Sequence, residues 1–331
     1  MITRPNARGA VLSGIAIFAA ASFALNWRLD SSLGPRDPRG WHAEQRLKAE
    51  LAVAPERPFV AVLGTSRTEL LDLDLAGLGE GPTSPLLLNM GRPYDGPVMQ
   101  QIQLRRLIAA HFRPHAVLIE FLPGSVCDAP LPDKAIPPWW LSLREARIQA
   151  RYCDSPAAWW FEWRSARAAG WHTYRKVIGQ ATAGAGVDDE PDERRKGPVT
   201  DDRRTRGLAF ARAQYETVLA DWQVHPLWDR ATRDLFDYCR DNSIPFAIYT
   251  MPESPAFRGW YGPGVRDRIR RYLAAFGSEF HAPVFDCMDW FEEEEDFVDG
   301  HHLTQPNAAK FCRRFGREYV KPWLATLPAA K

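Results

Sequence analysis

Residues 58–66 read Pro58-Phe59-Val60-Ala61-Val62-Leu63-Gly64-Thr65-Ser66, a short apolar run that begins after a proline and ends at a glycine. Such a run between two helix-breaking residues is typical of a strand buried on both faces of a parallel sheet. The sequence therefore predicts a buried strand here, and Ser66 falls in the turn directly after it.

Similar apolar runs follow along the chain, and helical patterns separate them. The runs lie at 86–89, 116–121 and 245–250, with a weaker one at 283–287, and the helical patterns at 96–111, 228–242 and 265–276. Strands that alternate with helices predict a parallel sheet covered on both faces. The expected fold class is α/β, a three-layer α/β/α sandwich with a five-stranded, mainly parallel sheet.

Chemically useful residues follow several of these predicted strands. They are Ser66, Gly91, residues 121–124, Pro252-Glu253 and Asp299. Ligands of open parallel sheets bind beyond the carboxyl ends of the strands. These segments, far apart in sequence, are therefore expected to form one site at one edge of the sheet.

A second stretch, Asp299-Gly300-His301-His302-Leu303-Thr304, places a carboxylate three residues before an imidazole. With Ser66 these side chains supply the nucleophile, base and orienting acid of a serine hydrolase triad: Ser66, His302 and Asp299. The chain order Ser, Asp, His is that of the α/β-hydrolases. However, the G-x-S-x-G elbow of those enzymes is absent, because its fifth position is Thr68, and the acid and base share one turn.

Each of these residues also has a simpler structural interpretation. Ser66 could cap a helix that follows its strand, and Asp299 could be a turn residue. His301 competes with His302 for the role of base, but only His302 has the three-residue spacing, so we expect His301 to face solvent or substrate.

The combination resembles the SGNH (GDSL-like) hydrolases, in which a serine follows strand one and a D-x-x-H motif precedes the last helix. Asp299 to His302, followed by Leu303-Thr304 and Pro306, match that last motif. The resemblance implies a flavodoxin-like sandwich of the SGNH type. It also implies that the N–H groups of Ser66 and Gly91 bind the oxyanion.

The third motif of that family departs from the pattern. Its G-x-N-D supplies a side-chain amide to the oxyanion hole, whereas residues 119–124 here read Ile-Glu-Phe-Leu-Pro-Gly. A substitute donor would have to come from Arg67, Asn89 or the backbone near Gly124. Alternatively, the site has little or no activity.

The G-T-S-R start, the stretch Met251-Pro252-Glu253-Ser254-Pro255 and the apolar N-terminus resemble a membrane-anchored subgroup of bacterial cell envelopes. The resemblance covers roughly residues 57–125 and 205–325. It implies an O-acyl esterase or O-acyltransferase acting on envelope or secreted carbohydrate, with no metal or cofactor and with a possible membrane partner that donates the acyl group. The alternative is a non-catalytic scaffold that binds polysaccharide or serves an export complex.

Residues beside the predicted triad are candidates for substrate binding: Arg67, Asn89, Glu253 and His301. Arg67 could hold an anionic group, or it could pair with Glu69 or Glu120 in a salt bridge.

The N-terminus predicts a membrane segment. Arg4 and Arg8 precede an uncharged stretch at 9–27, which is about long enough to cross a bilayer core of roughly 30 Å. Positive charge on the leading side predicts a cytoplasmic N-terminus and a periplasmic domain. A signal peptide cleaved after Ser22-Phe23-Ala24 is the competing interpretation.

The rest of the chain is expected to divide into a linker and amphipathic helix at 28–56, a core at 57–124 and 205–331, and an insertion at 125–204. The insertion carries Trp139, Trp140, Trp159, Trp160, Trp163 and Trp171 and ends in a charged segment that we expect to be mobile. Its tryptophans could form a small core, stack on sugar rings or lie at a membrane interface.

Composition excludes other classes of function. Lys and Arg number 42 against 41 Asp and Glu, and this balance argues against a nucleic-acid partner. The five cysteines lack a C-x-x-C pair, which argues against a zinc site. Export would permit disulfides, and Cys127 with Cys153 is the first pair to test.

Overall fold

The computed structural model of the chain describes residues 9–14, 17, 21, 38–54, 56–71, 84–127, 138–166 and 199–328. Most of the predicted membrane segment, the linker at 28–37 and most of the charged end of the insertion lie outside the described residues. No helix among the described residues is both long and apolar enough to cross a membrane.

A five-stranded parallel sheet forms the centre of the molecule. Its strands are β1 (Phe59–Leu63), β2 (Leu86–Asn89), β3 (Ala116–Glu120), β4 (Phe246–Tyr249) and β5 (Val284–Phe285), in the spatial order β2-β1-β3-β4-β5. Every neighbouring pair is parallel. The predicted α/β class with five parallel strands is therefore confirmed, and each predicted apolar run contains its strand.

The helices lie before, between and after the strands. Among the described residues from 38 onward they are α1 (Pro38–Val53), α2 (Pro97–Ala109), α3 (Leu143–Gln149), α4 (156–166), α5 (Asp201–Ala220), α6 (Pro226–Asp241), α7 (Pro255–Arg258), α8 (Val265–Phe280), α9 (Gln305–Phe315) and α10 (Lys321–Leu324). Short 3₁₀ turns occur at Thr68–Leu70, Pro123–Ser125, Pro138–Trp140, Ala150–Tyr152 and Glu294–Asp296, and one π turn spans Gly316–Val320.

The two faces of the sheet bury different sets of helices. Side chains alternate along a strand, so Ala61 and Leu63 of β1 pack with α2, α6 and α8, whereas Val60 and Val62 pack with α9 on the other face. The core therefore consists of two apolar layers with the sheet between them, as expected for a three-layer sandwich.

The described tryptophans of the insertion pack into the body of the protein. Trp163 is 1% exposed, and its Nε1 donates to Leu141 O at 3.2 Å, while Trp160 meets it edge to face. This cluster continues into residues of α2 and α6, among them Met99 and Ala231. Of the three interpretations of these tryptophans, the arrangement favours a packed core.

All five cysteines are free thiols. The pairing suggested for Cys127 and Cys153 is therefore wrong for this structure. Each of the two thiols donates to a nearby backbone oxygen, Cys127 to Gly124 and Cys153 to Gln149.

Candidate active site

Ser66 lies in the tight turn that follows β1. Its Oγ is 2.8 Å from Nε2 of His302, a residue 236 positions further along the chain. The turn continues into the 3₁₀ segment Thr68–Leu70, whose N-cap residue is Arg67. Ser66 is therefore not the cap of a following helix, and its hydroxyl is directed to an imidazole as a nucleophile would be.

The other ring nitrogen of His302 meets Asp299. Nδ1 is 2.8 Å from Oδ2 and 2.9 Å from Oδ1 of this carboxylate, which also accepts the backbone N–H of His302 at 3.0 Å. The three-residue spacing allows one short turn to orient the imidazole from both its ring and its backbone. The structure thus brings the three predicted triad side chains together in one relay.

Asp299 is suited to remain ionised in this position. Burial by itself would raise its pKa, but the imidazoles of His302 and His301 and the hydrogen bonds from His302 outweigh burial and hold the pKa well below its usual value. An ionised carboxylate keeps the proton of His302 on Nδ1 and leaves Nε2 to accept the serine proton.

The backbone of helix α5 closes over Asp299. A Cβ added at Gly207 would lie 2.6 Å from the Asp299 Cβ, so only glycine permits this approach. Arg204 Nε also donates to Phe297 O at 3.3 Å, which fixes the start of the helix against the same loop. Helix α5, which makes these contacts, begins at Asp201 and is capped by Thr200.

The carboxylate of Glu120, at the end of β3, accepts four hydrogen bonds from the turn around Ser66. Oε1 accepts Arg67 Nε at 2.7 Å and Thr65 Oγ1 at 3.1 Å. Oε2 accepts Thr65 N at 2.5 Å and Thr68 Oγ1 at 2.6 Å. Glu120 occupies the third-motif strand end and acts as an acceptor there, so it cannot supply the missing oxyanion donor.

Arg67 and Glu253 belong to a buried polar cluster rather than to an open substrate site. Their side chains are each 1% exposed, and Arg67 Nη1 lies 3.8 Å from Glu253 Oε1. Tyr261 donates to the same carboxylate oxygen at 2.8 Å. The expected salt bridge of Arg67 with Glu120 is present, whereas the suggested substrate-binding roles of Arg67 and Glu253 are contradicted by their burial.

Burial also sets the charge of this cluster. It raises the pKa of Glu253 to about 7, against the attraction of Arg67 and the hydrogen bond from Tyr261. Within the described residues, Arg67 Nη1 and Nη2 and Glu253 Oε2 lack a hydrogen-bond partner. The cluster therefore holds a carboxyl group that changes its protonation state near neutral pH.

His301 does not face solvent or substrate, contrary to the expectation from its spacing. It is 6% exposed, and its ring packs edge to face on Tyr215 and against Phe257. Burial lowers its pKa to about 3, so the ring is neutral at physiological pH. Helix α5 causes the difference, since it places Tyr215 over this position.

The loop after β2 does not present the expected oxyanion donor. The Gly91 N–H donates to Asn89 Oδ1 at 2.9 Å, and Asn89 Nδ2 donates to Thr68 O at 2.8 Å and Leu71 O at 2.9 Å. The predicted roles of Gly91 in oxyanion binding and of Asn89 in substrate binding therefore do not fit, because both groups fasten this loop to the segment after Ser66.

Asp299, His301 and His302 are also the group of described residues that could hold a metal ion, with ligand atoms within 4.8 Å of one another. Both ring nitrogens of His302 already lie in hydrogen bonds, to Ser66 and Asp299. The arrangement therefore fits a proton relay better than a metal centre.

The sequence motifs do not identify several residues that shape this site. Gly207, Tyr215 and the fourfold role of Glu120 were not predicted. The role of Glu120 had a signal in the sequence, because an acidic residue ends the otherwise apolar strand Ala116–Glu120. A buried carboxylate requires several hydrogen-bond donors around it.

No family model matches the chain, and no curated protein matches it either. The functional assignment therefore rests on the motifs of the sequence and on the geometry of the site.

Proposed function

We propose that this protein is a serine-dependent O-acyl esterase or O-acyltransferase of the SGNH type, acting on an envelope or secreted carbohydrate. The observation that carries the proposal is the relay from Ser66 through His302 to Asp299, with hydrogen bonds of 2.8 Å at both ring nitrogens. The strand order β2-β1-β3-β4-β5 supports it, since this is the flavodoxin-like order.

In the proposed reaction Ser66 Oγ attacks the ester carbonyl while His302 Nε2 accepts its proton. Asp299 stabilises the imidazolium, and His302 then protonates the leaving alkoxide. A water molecule or a carbohydrate hydroxyl next attacks the acyl-serine, again with His302 as base. The choice between these two acceptors separates an esterase from a transferase.

The oxyanion is assigned to the Ser66 N–H without the help of Gly91. Removing one oxyanion donor typically costs about 10² to 10³ in rate. We therefore expect slow hydrolysis of generic esters, with the natural substrate supplying additional binding energy.

The membrane segment forms the second part of the proposal. Arg4, Arg8 and the uncharged stretch at 9–27 support a single-pass anchor with the domain in the periplasm. There the enzyme would meet its carbohydrate and a membrane partner that donates the acyl group.

A non-catalytic scaffold is the second candidate function. Two observations favour it: the Gly91 N–H is occupied by Asn89, and Glu120 replaces an amide donor with an acceptor. A scaffold would bind polysaccharide without needing Ser66.

Hydrolysis of p-nitrophenyl acetate by the purified exported domain tests the enzyme proposal. Ser66→Ala and His302→Ala should abolish turnover, because the members of a relay act as a unit. His301→Ala should reduce turnover much less. Ser278→Ala, an exposed helical serine, is the matched control, and EDTA should have no effect if the Asp299 cluster holds no metal.

Two results would contradict the enzyme proposal. If wild type and Ser66→Ala show the same low turnover, and both retain polysaccharide binding, the scaffold replaces the enzyme. If EDTA abolishes turnover, the metal interpretation of the Asp299 cluster replaces the relay.

A further inference from the structure

The residues that surround Ser66 share one contact. Thr65, Arg67 and Thr68, the neighbours of Ser66 in the turn, all donate to the carboxylate of Glu120. Ser66 Oγ lies 2.8 Å from His302 Nε2. Thr65, Arg67 and Thr68 therefore hold the shape of the turn through Glu120, and Ser66 contacts the imidazole of His302.

The backbone before the serine is adapted to the same carboxylate. A Cβ at Gly64 would lie 2.6 Å from Glu120 Oε2 and 2.1 Å from Thr68 Oγ1. Glycine is required here because Glu120 and Thr68 approach the backbone so closely. The backbone at Gly64 and the donors of Thr65, Arg67 and Thr68 are thus fitted around Glu120.

We propose that Glu120 is a positioning residue for the nucleophile: its buried carboxylate holds the turn in the one conformation that presents Ser66 to His302. The inference rests on the proposed function in so far as it concerns the rate of acyl transfer. Glu120, at the end of β3, thus determines the conformation of the turn from Gly64 to Thr68.

The hydrogen bonds of Glu120 require a carboxylate rather than a neutral side chain of the same shape. An ionised carboxylate accepts at both oxygens, and here each oxygen receives two donors. Glutamine at this position would direct its NH₂ group toward two of those donors. The two donors on that side would lose their acceptor, and the turn would have to move.

The ion pair with Arg67 is consistent with this role. Both side chains are almost fully buried, at 1% exposure for Arg67 and 0% for Glu120. A buried charge persists only when it is paired and hydrogen-bonded. Arg67 compensates the charge of Glu120 from the position directly after the serine, so the pair stabilises the turn itself.

The test compares Glu120→Gln with Glu145→Gln, a matched variant of another mostly buried carboxylate. Glu145 pairs with Arg106 at 2.6 Å and closes the capping box of α3, so it measures the cost of losing a carboxylate elsewhere. Two readouts are taken at a temperature where all variants are folded: the second-order rate of fluorophosphonate labelling, and the Ser66 Oγ to His302 Nε2 distance in a crystal structure.

We expect Glu120→Gln to label about 10- to 100-fold more slowly than wild type, since small misplacements of a reacting group have costs of this size. Glu145→Gln should label at the wild-type rate, even if its melting temperature falls by as much as that of Glu120→Gln. The Ser66 to His302 distance should exceed hydrogen-bonding range in Glu120→Gln alone. If Glu120→Gln does not fold, Thr68→Val, which removes one of the four donors, takes its place with a smaller slowing expected.

The outcomes separate the two proposals. If wild type labels, and Glu120→Gln labels equally fast with the 2.8 Å contact kept, the positioning role is wrong and the proposed function stands. If wild type does not label but the distance lengthens in Glu120→Gln, the function is wrong and the positioning role stands. If wild type does not label and the distance is unchanged, both are wrong.

Discussion

At the residue scale, Gly207 of helix α5 fits closely against Asp299. A methyl group at Gly207 would lie 2.6 Å from the Asp299 Cβ, closer than side-chain carbons approach one another. Since Asp299 orients His302 through Nδ1, any displacement of the carboxylate is transmitted to the base.

We therefore predict that Gly207→Ala lowers esterase turnover by at least about tenfold, although alanine favours a helix over glycine by about 0.5–1 kcal/mol. Thr217→Ala, an exposed change on the same helix, is the control and should retain wild-type turnover. Turnover of Gly207→Ala equal to wild type would show that Asp299 does not need its present position.

Glu253 gives a prediction on pH and stability. Its pKa is about 7 in the folded protein against an ordinary value of 4.5, so between these pH values the native state binds more protons than the unfolded chain. Stability is then lost as the pH rises through this range. Glu253→Gln stays neutral and escapes this loss.

The free energy of unfolding of Glu253→Gln, relative to wild type, should therefore increase from pH 4.5 to 7 and level off above, with about 1.4 kcal/mol expected per pKa unit. Urea titrations across this range measure it, and the opposing titration of His301 cancels in the difference. Glu292→Gln, at an exposed position, should show no such trend. A pH-independent difference for Glu253→Gln would mean that Glu253 is ionised throughout.

At the element scale, the insertion helices α3 and α4 extend the core rather than forming a binding face. Trp163 is buried against residues of α2 and α6, whereas Phe161 of the same helix is 75% exposed. Substitutions of Trp163 and Phe161 therefore compare a buried and an exposed aromatic side chain on the same helix.

Trp163→Ala should lower the free energy of unfolding by about 3–5 kcal/mol, as large-to-small changes in a core do. Phe161→Ala should change it by less than about 0.5 kcal/mol, since exposed sites contribute little. Chemical denaturation measures both. If Trp163→Ala left stability unchanged but removed polysaccharide binding, the insertion would be a ligand surface after all.

Sequence reasoning located the features that depend on local pattern. The strands were found because short apolar runs lie between proline and glycine, and the triad because Asp299 and His302 are three residues apart. The contacts of Glu120 with Thr65 span 55 positions and depend on β1 lying beside β3. The burial of His301 depends likewise on α5, which comes from a different part of the chain and carries Tyr215 over the ring.

At the scale of the whole molecule, the N-terminal sequence predicts a retained anchor with the domain outside the cytoplasm. Arg4 and Arg8 before the uncharged stretch at 9–27 predict this orientation. The intact mass of protein extracted from membranes should therefore correspond to a chain that keeps this stretch. A mature chain that begins near Leu25 would contradict the anchor while leaving export in place.

In the proposed reaction Ser66 is a nucleophile activated by His302. Fluorophosphonate labelling of the purified protein, followed by peptide mass mapping, is the test of this proposal. We expect a single adduct on Ser66 in wild type and none in Ser66→Ala or His302→Ala, with His301→Ala still labelled. No adduct on wild type, or an adduct on another residue that persists in Ser66→Ala, would contradict it.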